Sequence, residues 1–315
     1  MQWWAILLIA LGAILLLILG ISFYCFMRVF YSPKRRVLGE DEYNFFEGEA
    51  YEFCKEYTYE AMKRARSFPY TSHEIKTKDG LTLRGKFFEL NPDAPIEIML
   101  HGYRGTSERD LAAGIWRAHA LGHSAFLYDH RGAGLSDGHV ASFGILECRD
   151  LLLWVDYINR TFGNNRRLIL TGISMGAATV MMAAAEPLPE NVKYVIADCG
   201  YSSPEDIIKK VMRDMGLPAG LVYPFIRLGA ILFGRFDPSS NSPKKALKNA
   251  KIPVFFVHGG ADGFVPAYMS EENFKACSSK KRLVIIEGAD HGLAYPTDKE
   301  RYVRELKSFA AECVD

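Results

Sequence analysis

The residue with the clearest capacity for chemistry is Ser174, at the centre of the Gly-x-Ser-x-Gly stretch 172–176. The apolar run 168–170 precedes it and a helical run of small residues through 179–185 follows it, which predicts a tight turn between a strand and a helix. Such a turn lifts the serine hydroxyl above the sheet, and glycine at both flanking positions avoids collisions between a Cβ atom and nearby backbone. The stretch therefore predicts a nucleophilic serine.

A serine hydroxyl needs a base to remove its proton, and the base needs a carboxylate to orient it. In an open parallel sheet, sites form at the carboxyl ends of strands, so both partners are expected directly after predicted strands. Asp262 follows the apolar run 252–257, and His291 follows the run 282–286. We predict that His291 is the base and that Asp262 orients it.

Other residues compete for these two roles. Asp198 follows the strand predicted at 192–197 and is the main alternative to Asp262, which is favoured because its polar loop comes one structural unit before the histidine. Asp290 neighbours His291, but adjacent side chains usually point apart. The other histidines lie in glycine turns, helices or loops and are interpreted as structural or solvated: His73, His101, His119, His123, His130, His139 and His258.

Acyl transfer also needs N–H donors for the oxyanion that develops on the attacked carbonyl, and one well-placed donor contributes roughly 3–4 kcal/mol. The backbone N–H of Met175, directly after the serine, is the first candidate. The second is expected in the glycine turn 101–105, and we predict the N–H of Tyr103.

The elements that must position these residues alternate between strands and helices. Two alternating runs, 73–78 and 81–90, flank Asp79-Gly80 and predict a β-hairpin. Further short apolar runs are separated by helical periodicity, as at 145–161, which predicts an α/β fold with a mostly parallel sheet covered on both faces. Residues 202–250 break this alternation with apolar helical stretches divided by prolines.

Five motifs connect these elements to a known family: His-Gly-Tyr-Arg-Gly at 101–105, Asp-His-Arg-Gly-Ala-Gly-Leu-Ser at 129–136, Gly-Ile-Ser-Met-Gly at 172–176, His-Gly-Gly-Ala-Asp at 258–262 and Gly-Ala-Asp-His at 288–291. With the chain order Ser, Asp, His, the sequence resembles the α/β-hydrolase superfamily, most of all its serine-aminopeptidase-like and acyl-hydrolase branches. The resemblance covers about residues 73–312. It implies an eight-stranded, mostly parallel sheet flanked by helices, with a helical cap inserted after the sixth strand at about 202–250.

The N-terminal segment lies outside that resemblance. Residues 3–27 are almost wholly apolar, and as a helix they span about 37 Å, more than the ~30 Å hydrocarbon core of a bilayer. A cleaved signal peptide would have a basic start and a shorter apolar run, so residues 1–32 are predicted to be a retained single-pass membrane anchor with its flank. Arg28 and the basic residues 34–36 follow the apolar run, which predicts a catalytic domain on the cytoplasmic side.

A connector, residues 33–70, separates the anchor from a hydrolase domain predicted at 71–315. Phe46, Ala50, Phe53 and Tyr57 recur at helical spacing and predict an amphipathic helix that packs on the domain. Contact with the membrane surface is the less favoured interpretation, because anionic lipid would repel the acidic side chains of the connector.

Composition excludes several other classes. The formal net charge of +1 gives no general attraction for nucleic acid, so no nucleic-acid partner is predicted. The six cysteines form no Cys-x-x-Cys pair, and neither a His-Glu-x-x-His stretch nor a complete Gly-x-x-x-x-Gly-Lys-Ser/Thr stretch occurs. We therefore predict neither a metal site nor a cofactor.

These features predict a membrane-anchored serine hydrolase that cleaves an ester or thioester bond through an acyl-enzyme intermediate. An apolar cap and an anchor place the site near lipid, which favours a small-molecule or lipid-like acyl substrate. A serine peptidase of the aminopeptidase-like branch is the nearest alternative. A membrane-anchored binding module without catalysis is the alternative from another class, since fold alone does not fix function.

Overall fold

An eight-stranded sheet lies at the centre of the molecule in the computed structural model, which describes residues 2–33, 39, 41–45 and 48–313. The strands are β1 (Thr71–Lys76), β2 (Thr82–Phe88), β3 (Ile96–Leu100), β4 (Ser124–Tyr128), β5 (Leu168–Ile173), β6 (Val192–Asp198), β7 (Val254–Gly259) and β8 (Lys281–Ile286). The helices are α1 (Trp3–Val29), α2 (Glu49–Glu52), α3 (Lys55–Ser67), α4 (Ser107–Ala120), α5 (Ile145–Phe162), α6 (Met175–Ala183), α7 (Pro204–Asp214), α8 (Ala219–Gly229), α9 (Pro243–Ala246), α10 (Tyr268–Ala276), α11 (Ala294–Thr297) and α12 (Lys299–Ala311). A π-helical turn, Ala230–Gly234, follows α8, and a 3-10 turn, Leu247–Asn249, follows α9.

The strands are ordered β1-β2-β4-β3-β5-β6-β7-β8 across the sheet. β2 is antiparallel to both β1 and β4, and the other neighbouring strands are parallel. The predicted hairpin is β1–β2, and Gly80 in its turn has a φ of 89°, which glycine adopts without a Cβ clash. The predicted α/β-hydrolase fold with a mostly parallel eight-stranded sheet is confirmed.

Helices cover both faces of the sheet, because side chains along each strand alternate between the two faces. In β5, Leu168 and Leu170 are buried with α5 and α6, whereas Ile169 is buried on the opposite face with α12. Helices α3 and α4 cover the second face beside β3 and β4. Burial on both faces explains why the parallel strands are continuous apolar runs in the sequence.

The insertion between β6 and β7 is helical, as predicted for residues 202–250. Helix α7 begins where the Ser203 hydroxyl accepts a hydrogen bond from the backbone N–H of Asp206, and Pro204 occupies the first helical position, which needs no donor. Part of the insertion is buried in the main core, including Ile207 of α7 and Tyr223 of α8. The cap is therefore packed firmly on the domain.

Helix α1 is the helix of the described chain that is long and apolar enough to cross a membrane. Its last third, however, packs on the cap. A Cβ atom on Gly229 would lie 2.3 Å from the carbonyl oxygen of Ser22, so α1 and α8 meet backbone to backbone. The rings of Phe26 and Phe233 lie 6.0 Å apart. The last third of α1 thus has protein neighbours, a contact that hydropathy does not predict because it does not distinguish lipid neighbours from protein neighbours.

The connector contains two helices instead of one. Helices α2 and α3 are separated at Phe53, whose side chain is exposed. Helix α3 packs on α4 and buries Ala61, Met62 and Ala65, so the connector packs on the domain mainly through these residues. The predictions made for four residues lie outside the described part of the chain: Lys34, Arg35, Arg36 and Phe46.

Candidate active site

Ser174 lies at the junction of β5 and α6, where its backbone has φ 55° and ψ −113°. Residues other than glycine rarely adopt positive φ, and such strain is typical of functional turns. A Cβ on Gly172 would lie 2.1 Å from backbone atoms of Gly176, and a Cβ on Gly176 would lie 2.2 Å from the carbonyl oxygen of Leu100. Glycine is therefore required at both positions, which explains the Gly-x-Ser-x-Gly pattern in physical terms.

The structure brings the three residues predicted for the triad together. The His291 ring nitrogen Nε2 lies 3.0 Å from the Ser174 hydroxyl oxygen, and Nδ1 lies 2.7 Å from Oδ2 of Asp262. Because an ionised carboxylate only accepts hydrogen bonds, the proton of the neutral imidazole is on Nδ1. The lone pair of Nε2 then faces the serine hydroxyl, which is the arrangement that a general base requires.

The carboxylate of Asp262 is held in place by several donors. Its Oδ1 accepts hydrogen bonds from the backbone N–H groups of Phe264 and Val265, and Nε2 of His258 lies 3.2 Å from Oδ2. Burial alone would raise the pKa of the Asp262 carboxyl, but the hydrogen bonds and charges of His258 and His291 lower that pKa to about 2. The carboxylate is therefore ionised at neutral pH.

The alternative carboxylate, Asp198, lies at the end of β6 and is not the partner of the histidine, since the structure pairs His291 with Asp262. Asp198 is buried, and its Oδ1 has no hydrogen-bond partner among the described residues. Burial raises the pKa of its carboxyl to about 6, although the nearby charges of His258 and Arg117 oppose the increase. Asp290 accepts hydrogen bonds at its Oδ1 from the backbone N–H groups of His291 and Gly263.

The raised pKa of Asp198 predicts a pH-dependent cost to stability. The folded state keeps the Asp198 proton up to about pH 6, whereas the unfolded chain loses it near pH 4, so the free energy of unfolding falls as the pH rises through this window. In Asp198→Asn this titration is absent. We expect the variant to gain roughly 1–3 kcal/mol relative to wild type between about pH 4 and pH 8, measured by denaturation of the full chain in detergent. A difference in the free energy of unfolding between Asp198→Asn and wild type that does not change with pH would contradict this prediction.

The two backbone N–H groups predicted for the oxyanion border the serine. Met175 is the first residue of α6, and the residue before Tyr103 is close enough that a Cβ on Gly102 would lie 3.5 Å from the Ser174 Cβ. Within the described part of the chain, neither the Met175 N–H nor the Tyr103 N–H has a protein acceptor. Both donors are thus available to a bound carbonyl oxygen.

The loop that carries Tyr103 is tied to the end of α1, a link that the sequence analysis missed. The Tyr103 hydroxyl donates a hydrogen bond to the carbonyl oxygen of Val29 at 2.5 Å. The neighbouring Arg104, with a φ of 52°, donates from Nη2 to the carbonyl oxygen of Tyr31 at 2.9 Å. These bonds hold the loop that carries Tyr103 against the last turn of the apolar helix.

A cavity of about 640 Å³ opens beside Ser174 and His291. Its lining combines apolar residues of the domain with polar groups near the serine. The apolar side chains include Met99, Leu111, Ile173, Phe264 and Leu293. This combination suits a substrate that has an apolar body and one polar reacting group.

One wall of this cavity comes from the connector, which the sequence analysis did not assign to the site. Tyr51, Cys54, Tyr57 and Thr58 line it. The Tyr51 hydroxyl also donates a hydrogen bond to the backbone carbonyl of His291 at 3.0 Å. The helical spacing of Tyr51, Cys54 and Thr58 is the signal that could have indicated a common face, but nothing in the sequence directs this face toward the serine.

Potential metal ligands also occur at the site. Cys199, Asp262 and His291 offer ligand atoms that all lie within 4.8 Å of one another. Asp262 and His291 already use these atoms for their mutual hydrogen bond, so a cation would have to break the contact that orients the histidine. Burial raises the pKa of the Cys199 thiol well above its ordinary value, which disfavours the thiolate that metals bind.

Comparison with known proteins gives a family match. Residues 92–244 match the family described as serine aminopeptidase, S33. Protein YqkD of Bacillus subtilis is 29% identical over 192 residues, which are 60% of this chain and 62% of that protein. The match therefore spans less than two thirds of the length of that relative.

Solved structures show the same fold. The esterase Pf2001 of Pyrococcus furiosus superposes with a TM-score of 0.66 and 19% identity, covering 90% of this chain and 99% of that chain. Est1E of Butyrivibrio proteoclasticus, solved with ferulic acid bound, superposes with a TM-score of 0.57 and 21% identity over 77% of this chain and 99% of that chain. Residues 92–244 are thus similar to this family, and the domain has the α/β-hydrolase fold.

Proposed function

We propose that this chain is a serine hydrolase that cleaves an ester or thioester bond in an acyl substrate. The observation that carries the proposal is the hydrogen-bonded series from the Ser174 hydroxyl through the His291 ring to the Asp262 carboxylate, at the mouth of a largely apolar cavity. In this proposal Ser174 is the nucleophile, His291 the general base and acid, and Asp262 the residue that orients His291.

The geometry accounts for each step of an acyl-transfer reaction. Nε2 of His291 takes the hydroxyl proton while the Ser174 oxygen attacks the substrate carbonyl, and the N–H groups of Met175 and Tyr103 donate to the oxyanion. The imidazolium then gives its proton to the departing alcohol or thiol as the tetrahedral adduct collapses to the acyl-enzyme. Water, deprotonated by His291, attacks the acyl carbonyl and releases the acid and free Ser174. The ionised Asp262 stabilises the imidazolium in both halves of the reaction.

Three observations support an acyl ester or thioester as the substrate class. The cavity beside Ser174 has apolar side chains, including Met99 and Leu111, that suit an acyl chain. A protein of the same fold is named as an esterase, and another was solved with the aromatic acid ferulic acid bound. The third is that the cap and the apolar helix α1 lie together beside the site.

We also propose that α1 anchors the protein in a membrane, with the catalytic domain in the cytoplasm. Only 6% of its most apolar stretch is buried in the protein, which is unlike a core helix. Gly20-Ile21-Ser22 is a weak small-x-small match to a signal-peptide cleavage site. Ser22 is packed against Gly229, so cleavage there would cut the chain within this packed contact, which supports a retained helix. The basic residues after the apolar run favour the cytoplasmic side.

A serine peptidase is the second candidate, because the matching family is described as serine aminopeptidase. The same nucleophile and base could attack an amide, but the leaving amine must then be protonated and the free N-terminus of the substrate must be recognised. Acidic side chains, Asp214 and Asp290, line the cavity and are the candidates for that recognition.

Turnover of matched substrates separates the candidates. We expect the full-length protein in detergent micelles to hydrolyse p-nitrophenyl esters of butyrate, octanoate and palmitate, with a preference that reflects the apolar cavity, and to leave aminoacyl p-nitroanilides intact. Anilide turnover above ester turnover would favour the peptidase. A protein that turns over neither and is not labelled by a fluorophosphonate probe would be a binding module instead of an enzyme.

A further inference from the structure

The cap exposes six large apolar side chains within the short stretch 215–233. Leu221 is 73% exposed, and five further side chains of the turn after α7 and of the π-helical turn are exposed with it. We call this set the cap patch, and it consists of Met215, Leu217, Leu221, Ile231, Leu232 and Phe233. Single exposed apolar residues are normal on soluble proteins, but six of them within 215–233, at both ends of one helix, indicate a binding surface.

The cap patch is continuous with the exposed apolar surface of α1. Gly229 packs against Ser22, and the ring of Phe233 lies 5.1 Å from that of Phe23 and 6.0 Å from that of Phe26. Gly229 lies against Ser22 and Phe233 against Phe26, so the π-helical turn runs alongside the end of α1 in the same direction. Any medium that surrounds the exposed part of α1 therefore also reaches the cap patch.

The charge on this part of the cap is low. Helix α8 carries a single charged residue, Arg227, and its guanidinium forms two hydrogen bonds with the carboxylate of Asp237, at 2.9 and 2.7 Å. From Met215 to Ile226 the chain has no charged side chain. This segment could enter a low-dielectric medium without leaving an unpaired charge there.

The cap patch also adjoins the mouth of the cavity. Lys210 and Asp214 of α7 line the cavity beside Ser174, and Met215 of the patch directly follows Asp214. Any surface that binds the cap patch would therefore also contact the rim of the active-site cavity.

We propose that the cap patch is embedded in a phospholipid bilayer beside α1, so that the active-site cavity opens at the membrane and receives acyl substrates from the lipid phase. A bilayer is the occupant because the patch continues the surface of a helix that is itself proposed to lie in lipid, and this inference rests on that proposed anchor. The exposed stretch of α1 from Trp3 to Ile21 is about 28 Å long at 1.5 Å per residue, close to the ~30 Å hydrocarbon thickness. The packed end of α1 and the adjoining cap thus come to the membrane surface.

Fluorescence depth measurements test this placement. The full-length protein, with Cys313 and the cavity-lining Cys54 replaced by serine because the other four cysteines are buried, is labelled with the fluorophore NBD at Leu221→Cys and reconstituted into phosphatidylcholine–phosphatidylglycerol vesicles. Leu11→Cys on α1 reports the anchor, and Lys307→Cys on the exposed face of α12 reports water. We expect spin-labelled lipid to quench NBD at positions 221 and 11 and not at 307.

The outcomes separate the anchor from the cap. Quenching at 11 with a water-like signal at 221 overturns the proposal for the cap and leaves the anchor standing, and no quenching at either position overturns both. Fluorophosphonate labelling of each variant checks that the fold is intact.

A second readout uses activity. Leu221→Asp should lower turnover of a long-chain ester dissolved in vesicles by about tenfold relative to a water-soluble butyrate ester. The matched exposed leucine Leu90, which follows β2 and lies outside the cap, should tolerate the same change to aspartate with the ratio unaltered. Equal ratios in the two variants count against the proposal.

Discussion

Replacement of Ser174 by alanine is expected to abolish labelling by a fluorophosphonate probe and to lower ester kcat/KM by about 10³-fold or more. The alanine keeps the turn between β5 and α6 but removes the oxygen that lies 3.0 Å from Nε2 of His291. The oxyanion donors and the cavity remain, so weak residual hydrolysis by bound water is compatible with this expectation. Probe labelling and ester turnover of the full-length protein in detergent micelles measure both effects.

The matched control is Ser202→Ala. Ser202 is buried like Ser174, but its hydroxyl lies 3.2 Å from a carboxylate oxygen of Asp206, away from the cavity. The control should be labelled like wild type. Labelling that persists in Ser174→Ala and is lost in another serine variant would move the nucleophile to that residue and disprove the assignment.

The three residues proposed for catalysis could be predicted from the sequence because fold topology restricts where they can be. Carboxyl ends of parallel strands meet at one edge of a sheet, so an acid after β7 and a histidine after β8 must both come near a serine after β5. The apolar runs in the sequence indicate where these strands end, and this needs no knowledge of tertiary contacts. Topology alone does not separate Asp262 from Asp198, since both residues follow strands. In the structure, the 2.7 Å contact with His291 distinguishes Asp262.

The contributions of the N-terminal region could not be predicted in the same way. Tyr51 reaches the backbone of His291 across 240 positions of sequence, and no periodicity encodes a contact of this kind. The end of α1 is as apolar as its beginning, so hydropathy assigned both parts to the membrane although Phe26 is buried against the cap. Both contacts depend on surfaces that exist only after the sheet has formed.

The start of helix α4 also differs from what the apolar pattern of the sequence indicates. The apolar periodicity after β3 begins only at Leu111 in the sequence, whereas α4 begins at Ser107. Its first turn is polar and is stabilised by the hydroxyl of Thr106, which accepts a hydrogen bond from the backbone N–H of Arg109. Apolar periodicity reports the buried face of a helix, and a capped polar turn at its start carries no such signal.

The second large effect is expected for Asp262→Asn, which should lower ester kcat/KM by about 10⁴-fold at neutral pH. The asparagine amide has nearly the shape of the carboxylate but no charge to stabilise the imidazolium. Its NH₂ group can also donate to Nδ1, which would place the ring proton on Nε2 and remove the acceptor that Ser174 needs. Ester kinetics of the full-length variant measure the loss, and fluorophosphonate labelling should fall with it.

Asp198→Asn provides the decisive comparison, because both carboxylates are buried at strand ends and both substitutions keep side-chain volume. Asp198 makes no bond to His291, so its variant should lose less than about tenfold in kcat/KM. The reverse order of effects would mean that the histidine turns toward β6 in the working enzyme.

The pH profile gives a second criterion: with its pKa at about 2, Asp262 stays charged above about pH 4, so loss of activity above that pH cannot arise from its protonation. If kcat/KM instead declines as the pH falls below about 6, and this decline is absent in Asp198→Asn, then Asp198 is the carboxylate on which catalysis depends.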